Sequence, residues 1–577
     1  MRDGLLRWVV PAALAGALLV AAPATAQASF RVATYSVPVT TPDTAGAPVT
    51  LDTDVYLPDG APPTGGFPFL EIFHGGGSTK DNPYDAGHAR DFANDGYVVL
   101  MYSARGHGNS GGQTTIAGPP EIRDLFDVTA WALGIGGRTL PPHPSFHIDA
   151  SRIALSGYSQ GGLHANLGQV WAGDRSVDPY GISFRAIEPG NTPDLTFQAL
   201  VPNSVVKLSF GLGLIETYAV GSQERVSPEV DRWIATGAAD DPQLYGSGDL
   251  CDDSGHDAAT STMQADLAWR SVGCHPERMG LPWLWAQAFD DNLFPPQMAT
   301  SMWSRAPGRE QHRLYLSMGG HAAPAADQAV EADKLAQQMR FLDAAEKGGP
   351  LPGPNVVYWM RDPAVEVPSD SYAYPPGAWY RETAGEWPPA KVAPVPFSLG
   401  SDGNATPGTA KPGSVQLSPV AEDERNDPVF VAAVASTPLG TSPASAVPPT
   451  NLPGSVAAFR TAPFRTEREL SGSPVASLAW TPSSADSQVV LEVFDEAPSG
   501  KLTFFGRGVQ GIRGGQAGVE RRVSVQANAF SIRIPAGHRI VAWVMAGDQF
   551  FYKPYPGSTG GSLRTGDAST LTVPLTR

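Results

Sequence analysis

The stretch Arg152-Ile-Ala-Leu-Ser-Gly-Tyr-Ser-Gln-Gly-Gly162 decides the fold of the first half of this chain. Residues 152–156 are a short apolar run of the kind that forms a buried β-strand. Gly157-Tyr-Ser-Gln-Gly161 then matches G-x-S-x-G, the sequence of a sharp strand-to-helix turn that presents a serine. Glycines on both sides let the strand and the following helix pack closely. The pattern therefore predicts that Ser159 is a nucleophile.

Strands and helices alternate on both sides of this turn. Such alternation predicts a mostly parallel sheet that is covered on both faces. The region from about 184 to 280 fits the alternation poorly, and we interpret it as an insertion that caps the carboxyl edge of the sheet. The predicted strands are 67–73, 97–102, 152–156, 283–289 and 313–317, and the predicted helices are 84–94, 121–133 and 331–346.

The character of the sequence changes after about residue 350. Residues 388–455 are rich in Pro, Ala, Ser and Gly, and short alternating segments such as 489–494 and 539–544 follow them. Closely spaced strands with Gly/Pro turns predict a separate all-β sandwich or jelly roll. We therefore divide the chain into a first domain at 27–350 and a second domain at 351–577.

The amino-terminal residues predict export. Arg2 and Arg7 precede the apolar stretch 8–22, and Ala24-Thr-Ala26 fits a signal-peptidase site, so 1–26 is predicted to be a cleaved signal peptide. A membrane anchor is the alternative, but the stretch is short and Pro11 interrupts it. We expect a secreted protein with no stable membrane insertion.

The charge balance excludes one class of partner. The 577 residues include 40 basic and 57 acidic side chains, which gives a net charge of −17. Nucleic acid carries a dense negative charge that such a surface repels, so we expect no nucleic-acid partner.

The two cysteines, Cys251 and Cys274, predict a disulfide, because an exported chain more often pairs its cysteines than leaves them free. A metal site is the weaker interpretation, since neither cysteine has a ligand spacing such as C-x-x-C. No metal or organic cofactor is expected.

The order Ser…Asp…His indicates where the partners of Ser159 should lie. Asp290 and Asp291 follow the strand at 283–289, and His321 follows the strand at 313–317. Both places are carboxyl ends of strands, where open α/β sheets build their sites. The residues alone leave Asp290 and Asp291 as competing acids. His164, in the helix after Ser159, is expected to pack rather than to react.

An oxyanion hole needs two N–H donors. The residue after the nucleophile, Gln160, is one candidate. The other lies in His74-Gly75-Gly76-Gly77, which matches the HGGG-type loop of esterases, with Gly76 preferred and Gly77 possible. We discount a phosphate-binding loop because neither GxxxxGK[ST] nor GxGxxG is present. His74 is expected to orient the loop.

With these motifs together, the chain resembles the Xaa-Pro dipeptidyl-peptidase and cocaine-esterase family of serine hydrolases. The resemblance rests on ARGHGNSGG at 104–112, GYSQGG at 157–162, DNLFP at 291–295, GH at 320–321, WPP at 387–389, and AFRT, LSGSP and PAGHR at 458–461, 470–474 and 535–539. It implies an α/β-hydrolase domain, with a doubly wound sheet and an inserted cap, and a carboxyl-terminal jelly roll. In the family's D-x-L-F-P loop the first Asp is the triad acid, which selects Asp291.

The sequence also departs from that family. The long helical amino-terminal domain of true Xaa-Pro dipeptidyl-peptidases has no counterpart here, which favours the shorter acyl hydrolases. Cocaine-esterase members place a tyrosine hydroxyl in the oxyanion hole, whereas glycine at the corresponding loop here implies backbone donation.

Three functions follow from these observations. The first is a secreted acyl esterase that acts on a small-molecule or peptide acyl substrate through a Ser-His-Asp triad. The second is an Xaa-Pro dipeptidyl aminopeptidase, which needs carboxylates to bind a free α-amine. The third is a non-catalytic protein that binds ligands through its jelly roll. Candidate amine-binding carboxylates, which we expect instead to form a solvated acidic loop, are Asp240, Asp241, Asp249, Asp252 and Asp253.

Overall fold

The computed structural model describes residues 29–207, 225–239, 248–256, 260–291, 293–321, 328–365, 377–419, 454–548 and 552–576. The predicted signal peptide lies outside these residues, as do Asp240 and Asp241. Within the described part of the chain, no helix combines the length and hydropathy needed to span a bilayer.

Ten described strands of the first half form one mixed sheet. In chain order, β1 to β10 are Phe30–Val39, Val49–Pro58, Phe67–Phe73, Val98–Tyr102, Ile148–Tyr158, Ala186–Gly190, Trp283–Ala288, His312–Ser317, Val356–Arg361 and Trp379–Ala384. Their order across the sheet is β1-β2-β4-β3-β5-β6-β7-β8-β9-β10. The pairs from β4–β3 to β8–β9 are parallel, and the others are antiparallel. The predicted, mostly parallel sheet is confirmed.

The sheet extends beyond the predicted limits of its domain. β9 pairs in parallel with β8 although it follows residue 350, and β6 belongs to the sheet although it lies within the predicted cap insertion. The domain boundary near residue 350 stays a prediction.

Helices cover both faces of this sheet. Leu155 of β5 lies against Gly168 of one helix, whereas Arg152 of the same strand pairs with Glu346 of another. Because the two positions are an odd number of residues apart, these helices lie on opposite faces. The described α-helices, α1 to α8, are Pro83–Asn94, Pro119–Leu133, Gln160–Trp171, Thr196–Leu200, Pro228–Ala239, Met263–Trp269, Gln297–Arg305 and Gln328–Lys347.

The central strands are largely apolar on both faces because both faces are covered, and Glu71 of β3 is a buried exception. All seven residues of β3 and all five residues of β4 are buried. Burial of one large apolar side chain contributes roughly 1.5–3 kcal/mol. These strands therefore form a firm base for the loops at their carboxyl ends.

The described residues between β6 and β7 form a cap with its own small core. Phe197 of α4, Trp233 of α5 and Leu267 of α6 belong to one buried cluster. Cys251 and Cys274 form a disulfide across this region, as the sequence predicts.

Among its described residues, the second half of the chain is all-β, as predicted. Strands β11 to β22 are Val392–Leu399, Asn404–Thr406, Gly413–Leu417, Val456–Thr461, Arg468–Gly472, Val475–Pro482, Ser487–Glu496, Leu502–Ile512, Arg521–Gln526, Phe530–Ile534, Arg539–Met545 and Gly561–Thr576. β18 pairs with β17, β17 with β21 and β21 with β14, while β22 pairs with β11, β13, β15 and β16. Ile532 of β20 pairs with Arg361 of β9, which joins the two halves of the molecule.

Candidate active site

Ser159 occupies the strained turn between β5 and α3. Its backbone has φ 57° and ψ −122°, a conformation that side-chain-bearing residues rarely adopt. Such a conformation costs on the order of 1–3 kcal/mol and persists only when its surroundings hold it. Here the Ser159 N–H donates to Gly190 O at 2.9 Å, and Ser159 O accepts from the Leu163 N–H at 3.0 Å. These bonds present the hydroxyl at the top of the sheet.

Close packing around this turn explains its glycines. A Cβ atom on Gly161 would lie 2.1 Å from the carbonyl oxygen of Phe73, and one on Gly157 would lie 2.5 Å from the carbonyl carbon of Gly161. No side chain fits at either position without a backbone shift. The G-x-S-x-G pattern is therefore required by the contact between β3, β5 and α3.

The structure brings Ser159, His321 and Asp291 together. His321 Nε2 lies 2.8 Å from Ser159 Oγ, and His321 Nδ1 lies 2.9 Å from Asp291 Oδ2. The rings of Phe294 and His321 pack in a T-shaped arrangement at a centroid distance of 5.0 Å, which restrains the plane of the imidazole. The arrangement lets His321 accept a proton from Ser159 while a carboxylate holds its other nitrogen.

The Asp291 carboxylate is fully buried and surrounded by donors. Its Oδ1 accepts from the N–H groups of Leu293 and Phe294 at 2.9 and 2.8 Å. Its Oδ2 lies 3.3 Å from the donating Gln287 Nε2, in addition to His321. A buried charge needs partners of this kind, so the loop holds the carboxylate in one orientation.

Asp290, the competing acid, has a different position. Its Oδ1 accepts from the N–H groups of Gly319 and Gly320 at 3.0 and 2.9 Å. The side chain therefore organises the turn that leads to His321. Its place in the sequence indicates only an alternative to Asp291, and no sequence signal predicts this bond.

His74 orients the glycine loop, as expected. Its Nε2 accepts from the Ala104 N–H at 2.9 Å, so Nδ1 carries the proton and donates to Gly75 O at 2.7 Å. Burial, with the nearby His107, lowers the pKa of His74 to about 3 and keeps the ring neutral. Because the peptide is planar and trans, fixing Gly75 O directs the Gly76 N–H away from His74.

The glycine loop touches Ser159 at Gly75, where a Cβ atom would lie 3.5 Å from Ser159 Cβ. Ser78 N–H donates to Gly75 O at 3.2 Å and closes a tight turn over Gly76 and Gly77. Gly77 has φ 71°, which glycine adopts without a steric cost. Gly76 and Gly77 therefore belong to the loop beside Ser159, and their donor roles stay predictions.

The Gln160 N–H also has a defined direction. It shares its peptide with Ser159 O, which accepts from Leu163 within the first turn of α3. The N–H of this trans peptide therefore points out of the amino-terminal end of the helix, where a helix favours negative charge.

Two family models match this chain. The model for X-Pro dipeptidyl-peptidase (S15 family) matches residues 45–323, and the model for the X-Pro dipeptidyl-peptidase C-terminal non-catalytic domain matches residues 352–572. The chain belongs to the X-Pro dipeptidyl-peptidase (S15) family of serine hydrolases. A search of the curated proteins found no match.

Solved structures share the fold of this S15 family member over almost its full length. An aminopeptidase from the marine sediment archaeon Thaumarchaeota archaeon is 13% identical, with a TM-score of 0.65 over 98% of this chain and 99% of that one. A CocE/NonD family hydrolase from Staphylococcus aureus is 13% identical, with a TM-score of 0.62 over 94% and 96%. An alpha-amino acid ester hydrolase is 12% identical, with a TM-score of 0.63 over 97% and 100%.

Two cap carboxylates of this S15 family member accept hydrogen bonds within their own loop. Asp249 Oδ1 accepts from the Cys251 N–H at 3.0 Å, and Asp252 Oδ1 accepts from the Ser254 N–H at 3.1 Å. Such local bonds are typical of turn-forming aspartates. Across the described residues, no group of three or more His, Cys, Asp or Glu side chains is arranged to hold a metal ion.

A cavity of about 180 Å³ lies beside the Asp291 loop. Its walls come from that loop, from residues 198–207 of the cap and from the second half of the chain, and its charged described lining residues are Lys207 and Arg507. Lys207 Nζ donates to Leu293 O at 2.7 Å, and burial lowers its pKa to about 7. No motif in the sequence predicts this lysine, which supports the loop that carries Asp291.

Proposed function

We propose that this protein hydrolyses carboxylic esters through an acyl-enzyme formed on Ser159. The hydrogen-bonded chain from Ser159 Oγ through His321 to Asp291, at 2.8 and 2.9 Å, carries the proposal. Membership of a serine-hydrolase family supports it. The substrate is a small-molecule or peptide acyl compound, and the reaction needs no cofactor.

Acylation begins when Ser159 Oγ attacks the ester carbonyl carbon and His321 Nε2 takes the hydroxyl proton. The carbonyl oxygen becomes an oxyanion, which the N–H groups of Gln160 and Gly76 stabilise. The intermediate then collapses, the C–O bond to the leaving group breaks, and His321 returns the proton to the departing alkoxide. Asp291 holds the imidazole tautomer and stabilises the imidazolium.

Deacylation repeats the same steps with water. His321 removes a proton from water, the hydroxide attacks the acyl carbon, and the bond to Ser159 Oγ breaks. The proton passes to Ser159, and a carboxylic acid leaves. Each turnover consumes one ester and one water and gives one acid and one alcohol.

Release of Xaa-Pro dipeptides is the second candidate, because the family model carries that description. It requires a carboxylate for the α-amine of the substrate. Asp249 and Asp252 accept bonds within their own turns. This observation favours ester over dipeptide substrates.

Labelling by a fluorophosphonate, combined with a substrate panel, tests the proposal. Wild type and Ser156→Ala should be labelled and should hydrolyse p-nitrophenyl butyrate, whereas Ser159→Ala should do neither. Ser156 is a matched control because it lies on β5, the strand that leads to Ser159, and its hydroxyl is 3.5 Å from Glu188 O. Faster cleavage of Ala-Pro-p-nitroanilide than of acyl esters would support the Xaa-Pro dipeptidyl-peptidase activity instead. Unlabelled wild type would favour the non-catalytic alternative.

We also propose that the protein is exported after removal of 1–26. The apolar amino-terminal sequence and the Cys251–Cys274 disulfide support this, since disulfides persist in oxidising compartments. Expression in a bacterium with a general secretory system should release a protein beginning at Gln27. An intact Met1 terminus on the recovered protein would contradict export by cleavage.

A further inference from the structure

A buried polar network lies directly beneath the proposed oxyanion donor. We infer that Glu121 is a positioning residue for Gln160 and that the cap holds Glu121 in place through the turn at 114–117. The inference rests on the proposed function, because it assigns to Gln160 the oxyanion contact described above.

Glu121 and His164 bind Gln160 through its side-chain amide and its carbonyl oxygen, respectively. The Gln160 side-chain amide donates to Glu121 Oε2 at 3.0 Å, and His164 Nδ1 lies 2.8 Å from the Gln160 carbonyl oxygen. His164 Nε2 lies 3.0 Å from the same Glu121 oxygen and closes the triangle. All three side chains are buried, so water does not compete for these bonds. Gln160 therefore has little freedom to move its N–H.

The protons of this triangle follow from its geometry. A carbonyl oxygen only accepts, so His164 Nδ1 carries a proton. Burial alone would raise the pKa of Glu121, but the hydrogen bond and charge of His164 outweigh it and hold that pKa well below its usual range. His164 Nε2 lies beside this carboxylate at 3.0 Å, and both members of the pair bind Gln160.

The other contacts of Glu121 hold a strained turn. Its carboxylate accepts from the N–H groups of Thr115 and Ala117, the first of these at 2.5 Å and the second at 2.9 Å. Ile116 and Ala117 have φ 51° and 55°, a left-handed conformation that costs a residue with a side chain roughly 1–2 kcal/mol. The carboxylate compensates for this strain, so the turn and Glu121 stabilise one another.

The cap also holds the turn at 114–117, through hydrogen bonds from Arg270. Arg270 is fully buried and donates to Thr115 O and Ile116 O at 3.1 Å each. It also pairs with Glu229 of α5 at 3.1 Å, and its guanidinium lies 4.8 Å from the centre of the Trp233 ring. A continuous chain of contacts thus leads from the cap, through the turn and Glu121, to Gln160.

Glu121→Gln tests the inference because the change keeps size but adds a donor. In either orientation of the new glutamine, its NH₂ group faces another donor, either an N–H of the turn or the Gln160 side-chain amide. At least one hydrogen bond that Glu121 accepts is therefore lost. Glu71→Gln is the matched control: Glu71 is also fully buried, but its partner is Thr129, 2.6 Å away on α2. Both variants are measured as full chains, with active sites counted by fluorophosphonate.

For Glu121→Gln we expect kcat on p-nitrophenyl butyrate to fall about 10- to 100-fold, with KM changed less than about 3-fold, because misplacement acts in the transition state. Phenylboronic acid, which forms a tetrahedral adduct on a catalytic serine, should bind weaker by a similar factor. A merely structural role would lower the number of active sites and leave kcat per site unchanged. In Glu71→Gln, kcat per active site should stay within about 2-fold of the wild-type value.

Unchanged kcat in Glu121→Gln, equal losses in both variants, or a rise in KM alone would overturn the inference. If Glu121→Gln does not fold, Gln160→Met removes the same contact and should give the same loss. Where both fold, the double variant should be no worse than either single one, and additive losses would overturn the coupling. Failure of the proposed function shows in wild type, whereas failure of this inference shows only in the variants.

Discussion

Replacement of Asp291 by Asn is expected to stop hydrolysis. The surroundings of residue 291 force the new side-chain amide into one orientation, and that orientation is unproductive. The Oδ1 position accepts N–H groups from Leu293 and Phe294 at 2.9 and 2.8 Å. Only the carbonyl oxygen of an asparagine suits this position, because an NH₂ group there would face two donors. The NH₂ group must then occupy the Oδ2 position, which lies 2.9 Å from His321 Nδ1.

This orientation forces the wrong tautomer on His321. Nδ1 must become an acceptor, so the single proton of the neutral ring moves to Nε2, which lies 2.8 Å from Ser159 Oγ. A protonated Nε2 cannot take the serine proton. Loss of the correct tautomer in a serine triad lowers kcat by about 10⁴-fold, or about 5.5 kcal/mol of transition-state stabilisation. We expect a loss of that size here.

Asp290→Asn provides the comparison, because the two carboxylates are adjacent in sequence. Asp290 Oδ1 accepts from Gly319 and Gly320, and the carbonyl oxygen of an asparagine can accept the same two bonds. The turn before His321 should therefore persist, and kcat should fall less than about tenfold, the effect of a weakened hydrogen bond.

Steady-state hydrolysis of p-nitrophenyl butyrate, with melting temperatures for both variants, measures the difference. A kcat for Asp291→Asn within about 100-fold of wild type would refute the tautomer reasoning. Equal losses in the two variants would show that the carboxylates act only as a pair.

Three further predictions concern packing, charge and covalent linkage. Burial raises the pKa of Glu71 to about 8, so the folded wild type retains a proton that the unfolded chain releases above pH 4.5. The melting temperature of Glu71→Gln, relative to that of wild type, should therefore rise progressively from pH 5 to 7.5. A difference in melting temperature that stays constant with pH would contradict this. Gly161→Ala should lower both melting temperature and kcat, since its Cβ would lie 2.1 Å from Phe73 O, and unchanged values would show that the turn adapts. The Cys251–Cys274 disulfide links residues 23 positions apart, and such a loop closure stabilises the folded state by about 3 kcal/mol. Reduction of this disulfide should therefore speed tryptic cleavage of the cap. Equal digestion rates before and after reduction would argue against this role.

The local parts of the site were predictable from sequence because their signals are local. The elbow at Ser159 and the glycines after His74 each occupy one continuous stretch beside an apolar strand. Asp290 and Asp291 could not be separated in this way, since both follow the same strand. Only the folded chain shows that one faces His321 and the other faces the turn before it.

The remaining parts depend on contacts between distant residues. Glu121 lies in the first turn of α2, where an acidic residue is ordinary and needs no special partner. Its contact with Gln160 spans 39 positions, and no sequence spacing indicates it. The sheet likewise continues into β9 beyond a change in composition, because pairing between strands follows geometry and not amino-acid content.

The position of β22 at 561–576 has a consequence for the order in which the molecule is made. Four strands, β11, β13, β15 and β16, use it as a partner, and it is synthesised after all of them. Until it emerges, these strands expose unpaired edges that invite association with other chains. A nascent chain therefore carries a complete first half beside an unclosed β domain. Cleavage or early termination near residue 560 would leave it permanently in that state.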